Sequence, residues 1–342
     1  MLQHLKKAFV VSLVGSAMIG SVGISHAETL TLSNWVPPTH FVAKDILNTW
    51  MADVEKATEG RVKVNMLPKA LGSPPQHFEL ARKGLADITW GNFTYEPERF
   101  KMMWFAELPM SGSNTEASSV ALWRTYDKYL RDNKAFKGVV MLGVGMLGGG
   151  QFNHPSNAVT SLADLKGQKV RMGGPIQKRI IETLGAIPVS APATKAYELL
   201  EGGAIDASLH GIESVVNFRL DGKLKTHTIV PEGLYDGTFF IVMNEKKFNS
   251  LSKADQTAIM KVSGEYLSRL WGQEFDKQHK SAEAKLRADG HLFTAPASDL
   301  SDMITKVRTD MLAELAGESK AFGVDDHNAV VSFYSSQYKA LK

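Results

Sequence analysis

The residue with the clearest potential for chemistry is Arg171, because two glycines and the start of a helix follow it directly. Residues 169–172 form a short β-prone run that Gly173 and Gly174 end. Pro175 then begins a segment whose apolar residues recur at helical spacing. We therefore expect Arg171 at the mouth of a strand-to-helix turn, where its guanidinium and free helix N–H groups could bind a small carboxylate. A surface or interdomain salt bridge is the alternative that this spacing leaves open.

A short internal repeat indicates a second wall for the same site. Residues 79–89 and 198–208 share the pattern E-L-x-x-x-G-x-x-D-x-[S/T]. Each copy predicts a helix that ends at glycine, followed by a short buried strand. Two lobes of like topology would then place Trp90 and His210, the residues that follow these strands, on opposite walls of one cleft. A chance match between two short patterns is the alternative.

Asn34 and Trp35 follow the first predicted strand and reach a comparable position. Residues 29–33 alternate in polarity, and Thr39 caps the next predicted helix. Trp35 and Trp90 could therefore form flat apolar walls for a ligand, or each could pack inside its own lobe.

Glu213, three residues after His210, would add a negative charge to this cleft. Together with Arg171 it would leave the cleft close to neutral, which favours a monocarboxylate or a zwitterion over a dicarboxylate. A positively charged group of the ligand could contact Glu213 and the tryptophan faces. Alternatively, Glu213 only caps its segment or pairs with Arg219.

The N-terminus indicates export. Lys6 and Lys7 precede an apolar run over residues 8–24, and small residues occupy the cleavage positions of 25–27. We expect a signal peptide over residues 1–27, cleavage after Ala27 and a periplasmic protein. Removing 27 of 342 residues leaves 315 and lowers the formal charge from +3 to +1, since two lysines are lost. That charge argues against nucleic acid as a partner, and the sequence contains no cysteine.

Residues 165–206, LKGQKVRMGGPIQKRIIETLGAIPVSAPATKAYELLEGGAID, resemble the signature region of the DctP-type solute-binding proteins of TRAP transporters. Residues 34–72 are similar to that family's first helix and second strand, and residues 235–251 to its return crossing. The resemblance implies an α/β, two-lobed periplasmic binding protein fold of type II-like architecture that closes on a small organic acid. It also implies that Arg171 grips the carboxylate and that a TRAP membrane permease is the partner.

Two departures from the family pattern concern the substrate. Gln151 stands where many members carry a second basic residue, and residues 210–213 replace the usual acidic-Asn-Pro run. One positive charge is therefore missing from the expected site. We predict that Arg171 binds the carboxylate and that seven further residues complete the ligand site: Asn34, Trp35, Trp90, Gln151, Gly173, His210 and Glu213.

The length of the chain predicts two lobes, because single cores tend to split beyond about 250 residues. We expect residues 28–150 and 237–270 in lobe I, and residues 151–236 and 271–342 in lobe II. The β-prone runs 137–144 and 238–244 would be hinge strands between the lobes. Residues 252–290 read as one very long helix that spans both lobes.

Signatures of catalysis are weak. Residues 143–148 fit G-x-G-x-x-G, but the Asn- and Pro-containing segment 149–157 cannot open the helix that a dinucleotide site requires. The histidines are scattered singly, without the spacing of a zinc site. We expect no catalytic residue, no metal and no cofactor. The alternatives are an exported enzyme that acts on a small acid through His210 and Glu213, and a ligand-binding sensor component.

Overall fold

Two mixed β-sheets, connected by helices, form the structure in a computed structural model that describes residues 27–342. The expected signal peptide therefore lies outside the described residues, apart from Ala27. No helix within the described part is long and apolar enough to cross a bilayer.

Residues 27–342 contain eleven strands, which form a five-stranded and a six-stranded sheet. In chain order they are β1 (Glu28–Ser33), β2 (Val62–Met66), β3 (Ile88–Asn92), β4 (Val139–Met146), β5 (Gln151–His154), β6 (Lys169–Met172), β7 (Ile187–Ser190), β8 (Ala207–His210), β9 (Thr226–Thr228), β10 (Thr238–Asn244) and β11 (Leu292–Thr294). The first sheet has the order β2-β1-β3-β10-β4 and the second β11-β9-β5-β8-β6-β7. The two sheets share no strand. Each has one strand that runs antiparallel to both of its neighbours, β10 in the first sheet and β5 in the second.

The helices cover the sheets and connect them. They are α1 (Asn48–Ala57), α2 (His77–Arg82), α3 (Thr115–Thr125), α4 (Leu162–Leu165), α5 (Pro175–Thr183), α6 (Ala196–Glu201), α7 (Ile212–Asn217), α8 (Glu245–Ser250), α9 (Lys253–Lys261), α10 (Glu265–Ala288), α11 (Ser298–Glu318) and α12 (His327–Leu341). A π-helical segment, Val42–Leu47, leads directly into α1, and Phe93–Tyr95 forms a 3₁₀ turn after β3.

The internal repeat occupies equivalent places in the two sheets, as predicted. In the first copy α2 ends before Gly84, and in the second α6 ends before Gly203; both glycines have left-handed φ angles of 72° and 65°. The strands that follow, β3 and β8, pair in parallel with β1 and β6 respectively. Glycine at these positions lets the chain reverse from helix into strand without the strain that a side chain would meet.

The two sheets are joined by adjacent crossing segments, which the β-prone runs predicted. Strands β4 and β10 lie antiparallel in the first sheet, and Gly150 forms a bridge with Tyr235 just beyond them. The Asp236 carboxylate accepts hydrogen bonds from the N–H groups of Leu147 (2.9 Å), Gly148 (3.0 Å) and Gly237 (2.7 Å). One buried side chain therefore holds both crossings together.

The single helix expected over residues 252–290 is wrong in one respect. The segment forms two helices, α9 and α10, with a break at Gly264, whose φ is 64°. The Gly264 N–H donates to the Leu142 carbonyl oxygen (2.6 Å), so the chain leaves the helix to bond β4. Helix α10 still extends along both sheets, because it packs against α3 and β4 on one side and against α7 on the other.

The predicted lobe boundaries stay a prediction. The last helix, α12, was assigned to lobe II but packs against α3, which lies beside the first sheet. A second apolar cluster forms there from the aromatic residues of α12 and the buried face of α3. The chain thus returns to the first sheet at its C-terminus.

Close packing of α10 on the crossing strand depends on a glycine. Trp271 of α10 is fully buried, and its indole N–H donates to the Met146 carbonyl oxygen (3.0 Å). A Cβ atom added at Gly145 would lie 2.3 Å from Cδ1 of this indole. Position 145 must therefore lack a side chain if α10 is to lie against β4.

We expect Gly145→Ala to lower the free energy of unfolding by about 1–3 kcal/mol, because the methyl group overpacks a site that has no room. Urea unfolding measures this change. The matched control is Gly222→Ala, where an added Cβ meets nothing within 4 Å. Equal stability of the two variants would contradict the packing argument.

Candidate functional site

Residues that follow β1, β3, β6 and β8 line one cavity between the two sheets, with an empty volume of about 640 Å³ including its mouth. The crossing segments and α10 close its remaining side. Of the eight predicted ligand-site residues, six line this cavity: Trp35, Trp90, Arg171, Gly173, His210 and Glu213.

Arg171 is buried, with 3% of its surface exposed, and its guanidinium is held by backbone oxygens. Nε donates to the Ala191 carbonyl oxygen (2.9 Å) and Nη1 to that of Leu209 (3.0 Å). Burial lowers the pKa of Arg171, opposed by the nearby phenols of Tyr95 and Tyr235. No carboxylate among residues 27–342 forms an ion pair with this guanidinium. The salt-bridge alternative is therefore not what the fold contains, and a buried cation faces the cavity.

Gly173 lies beside Arg171 but does not offer the free N–H that the sequence predicted. Its N–H donates to the Gln177 side chain on the first turn of α5. A Cβ at Gly173 would lie 3.3 Å from Arg171 Nη2, so glycine leaves room for the guanidinium. At Gly174 an added Cβ would lie 1.6 Å from Cγ2 of Thr94. These glycines allow the 3₁₀ turn of the first sheet to approach the β6–α5 turn of the second.

Two tyrosines that the sequence analysis missed flank the guanidinium. The Tyr95 hydroxyl accepts a hydrogen bond from the Ala193 N–H (3.3 Å), which connects the two sheets across the cavity mouth. The Tyr235 ring packs on Gly150, where an added Cβ would lie 2.1 Å from it. Burial raises the pKa of Tyr235, so its phenol is neutral and can donate. Tyr95 comes just after β3 and Tyr235 just before β10, and these positions in the sequence could have indicated that both lie at the site.

Trp35 and Trp90 form a stacked pair with ring centroids 4.4 Å apart and planes inclined at 24°. Trp90 is 1% exposed and Trp35 is half-buried. Both line the cavity, so their predicted role as walls and their packing in the core are compatible. Phe218, Phe239 and Phe275 add further aromatic surface to the lining.

Asn34 does not line the cavity, contrary to the expectation. Its Oδ1 accepts from the Trp90 indole N–H (2.9 Å), and its Nδ2 donates to the Val36 carbonyl oxygen (2.8 Å). Both polar atoms of the Asn34 amide therefore have hydrogen-bond partners within the first lobe. Asn34 orients Trp90 and has no polar atom directed at a ligand.

Gln151 is also misplaced by the sequence analysis. Its Oε1 accepts from the Val230 N–H (2.8 Å) and its Nε2 donates to the Val230 carbonyl oxygen (3.3 Å). The side chain therefore pairs with the Val230 backbone as a neighbouring strand would. It lies behind the crossing segments and not in the cavity. At the position where the resemblance to the family implies a second basic residue, Gln151 thus binds the backbone of Val230.

Glu213 forms an ion pair with a residue that the sequence gave no reason to select. His279 of α10 places Nε2 3.0 Å from Glu213 Oε2, while Arg219 makes no such contact with this carboxylate. The Ser214 hydroxyl donates to Oε1 (2.5 Å). An added Cβ at Gly211 would lie 2.1 Å from Oε2, so glycine lets the carboxylate fold back over the start of α7.

The charges of this pair are fixed by each other. Burial alone would raise the pKa of Glu213, but His279 outweighs it and the pKa is lowered. Burial alone would lower the pKa of His279, but Glu213 raises it to about 9. At neutral pH the carboxylate is therefore ionised and the imidazole is protonated.

The two histidines of the lining, His40 and His210, are neutral. Burial lowers the pKa of His40 to about 4, against a smaller opposing effect of Glu213. Burial, followed by the charge of Arg171, holds the pKa of His210 well below its usual value. His210 Nε2 is buried without a hydrogen-bond partner in the described residues. The lining therefore carries the opposite charges of Arg171 and Glu213, and His279, which does not line the cavity, balances Glu213.

Metal ligation finds no support in the described part of the chain, where no cluster of three or more histidine, cysteine, aspartate or glutamate side chains has the arrangement to hold an ion. The polar groups of the cavity are instead suited to one anionic group and one or more neutral groups.

Residues 32–315 match the sequence model of the DctP family, described as bacterial extracellular solute-binding protein, family 7. The chain belongs to this family, whose members are solute receptors of TRAP transporters. The resemblance seen in the sequence and the two-lobed α/β fold are thus confirmed.

Three proteins are similar to this chain, and two of them have a bound acid. A TRAP periplasmic solute-binding protein from Bordetella bronchiseptica with bound (R)- and (S)-mandelate is 35% identical, with 92% of this chain and 99% of that chain covered and a TM-score of 0.88. A marine metagenome TRAP protein specific for aromatic acids, in complex with metahydroxyphenylacetate, is 25% identical over 92% and 99% of the two chains, with a TM-score of 0.85. TsaT of Comamonas testosteroni, named an outer membrane transporter protein, is 29% identical over 77% of this chain and 76% of its own.

The Glu213–His279 pair predicts a pH-dependent coupling. His279 has a raised pKa, so its contribution to stability is complete below about pH 6.5 and is lost as the pH rises through about 9. Glu213 has a lowered pKa, so its contribution is present above about pH 4.5 and is lost in more acidic solution.

A double-mutant cycle with Glu213→Gln and His279→Gln should give a coupling of about 1–3 kcal/mol near pH 6, because each charge is buried against the other. The coupling should shrink near pH 10, where the imidazole is neutral. Urea unfolding of the four proteins at both pH values measures it. A coupling that does not change with pH would refute the charge assignment.

Proposed function

We propose that this protein captures an aromatic monocarboxylate in the periplasm and delivers it to a TRAP membrane permease. The observation that carries the proposal is a buried guanidinium, Arg171, that has no acidic partner in the described chain and shares a cavity with a stacked tryptophan pair. A carboxylate would supply the missing counterion in bidentate geometry. A flat ring would match the aromatic lining.

The charge of the cavity supports a single carboxylate. Arg171 is free to bind one anion, whereas Glu213 is negative and would repel a second. The zwitterion that the sequence left open is less favoured, because His279 already supplies the positive charge beside Glu213. The relatives that bind mandelate and metahydroxyphenylacetate agree with one carboxylate on an aromatic ring.

Three groups are proposed to contact the carboxylate. The hydrogen bonds of Arg171 to backbone oxygens use its Nε and Nη1, and the neutral Tyr235 phenol and His210 imidazole lie on the same lining. Micromolar affinity corresponds to about 8 kcal/mol. One charge-assisted pair, a few hydrogen bonds and the burial of one ring can supply that amount.

Closure around the ligand is proposed to use the contacts between the two sheets at the cavity mouth. The Tyr95 hydroxyl meets the Ala193 N–H, and Thr94 packs against Gly174. These are the contacts that bending at the crossing segments would make and break. Excluding water in this way would strengthen each polar contact to the ligand.

We further propose that the protein does no chemistry on its ligand. The enzyme alternative relied on His210 and Glu213, but the Glu213 carboxylate is paired with His279, and His210 has a pKa that keeps it neutral. Neither is arranged to relay a proton to the other. We propose in addition that the protein delivers its ligand to a permease and that its signal peptide is cleaved after Ala27. The lobe division expected from the sequence is part of the same proposal. A sensor component would bind its ligand in the same way and differ only in its partner.

Arg171→Ala should abolish binding of benzoate or mandelate, because removing one partner of a desolvated charged pair costs about 2–5 kcal/mol. Thermal unfolding of residues 28–342 against a panel of acids, followed by calorimetric titration, tests this. The matched control is Arg179→Ala, an exposed arginine on the following helix α5 that pairs with Glu314. Unchanged affinity in the Arg171 variant would remove this residue from the site.

Trp35→Leu should weaken benzoate binding by about three- to tenfold, since a stacked aromatic contact contributes about 0.5–1.5 kcal/mol beyond its buried area. The affinity for cyclohexanecarboxylate, which has no aromatic face, should fall less in the same variant. Titration of both acids into the wild type and the variant gives the comparison. An equal loss for the two acids would mean that Trp35 contributes only shape.

A further inference from the structure

We propose that the natural ligand carries a neutral hydroxyl group on its ring in addition to the carboxylate, and that this hydroxyl donates a hydrogen bond to Glu213. The inference rests on the proposed function, in which Arg171 holds the carboxylate. It assigns to the Glu213 carboxylate the recognition of a second polar group and so narrows the ligand to a hydroxylated aromatic monocarboxylate.

The Glu213 carboxylate has the capacity to accept another hydrogen bond. Glu213 is 1% exposed and lines the cavity. The Ser214 hydroxyl donates to Oε1, whereas Oε2 has no aligned donor in the described residues, although His279 Nε2 lies 3.0 Å away. An ionised carboxylate offers about four lone-pair positions, and buried polar atoms are normally satisfied. A donor from the ligand would complete this set.

The charges around Glu213 select a neutral donor. An ammonium group would approach the protonated His279 as well as Glu213, and a second carboxylate would meet Glu213 itself. A hydroxyl carries no charge and only donates its proton to the carboxylate oxygen. It therefore gains a charge-assisted hydrogen bond without repulsion from either member of the pair.

Arg171 and Glu213 form no ion pair with each other, although both lie on the lining with Tyr235 and act on its phenol. The ligand carboxylate and the hydroxyl would therefore contact different side chains. Aromatic side chains such as Phe218 and Phe275 belong to the same lining. An acid whose ring carries both a carboxylate and a hydroxyl fits this arrangement of charge, apolar surface and acceptor.

The test compares benzoate, 3- and 4-hydroxybenzoate and the matching fluorobenzoates by calorimetric titration into residues 28–342. Fluorine is close in size to a hydroxyl but cannot donate. We expect at least one hydroxybenzoate to bind about tenfold or more tightly than benzoate and its fluoro analogue, because hydrogen bonds to charged groups are the stronger ones. In Glu213→Gln this preference should fall to about threefold or less. Glu182→Gln, an exposed glutamate on α5, serves as the control.

Each outcome decides between the two proposals. A hydroxyl preference in the wild type that Glu213→Gln reduces, in a variant whose circular dichroism is native, supports the inference. Binding of benzoate without any preference for a hydroxyl overturns it and leaves the proposed function standing. A preference that survives in Glu213→Gln overturns the role of Glu213. Failure of every aromatic acid to bind would instead refute the proposed function itself.

Discussion

The guanidinium of Arg171 is held out of water without a carboxylate beside it, and the surrounding elements are arranged around this charge. Arg171 is fixed by two backbone oxygens and flanked by phenols, and these groups orient the cation without neutralising it. A buried, uncompensated charge is costly, so the protein keeps this one where an anion from outside can reach it. The close approach allowed by Gly173 and Gly174 brings the turns of both sheets to this charge. The stability lost by burying Arg171 is thereby available as affinity for an acid.

Local sequence was enough to predict the elements that carry the site. Glycine positions and apolar spacing within a few residues specified the strand that carries Arg171. They also specified the two repeat copies and the crossing strands. Side-chain roles depended on partners far along the chain. Gln151 turns to Val230, 79 residues away, and Asn34 turns to Trp90, 56 residues away. An amide bonds equally well to a ligand or to a backbone group, so its sequence context alone could not decide.

The same reason explains why the partner of Glu213 could not be predicted. From sequence, Glu213 was weighed against Arg219 because that residue is near it in the chain, whereas the fold supplies His279 from α10. Helical spacing predicted α10 but could not predict its break from α9, since the break depends on a bond from Gly264 to Leu142 in another element. The sequence therefore predicted which residues gather at the strand ends, and tertiary contacts determined what each of them binds.

Helix α10 connects the crossing strands to the site through residues spaced four apart on one face. Trp271 packs against Gly145 of β4 and stacks on Phe275, with centroids 5.0 Å apart and planes 18° apart. Phe275 lines the cavity, and His279, one turn further, holds the charge of Glu213. A single rigid element thus sets the position of a crossing strand, an apolar wall and a counterion. Because these three features share one helix, the bending proposed for closure would also move an apolar wall and the counterion of Glu213.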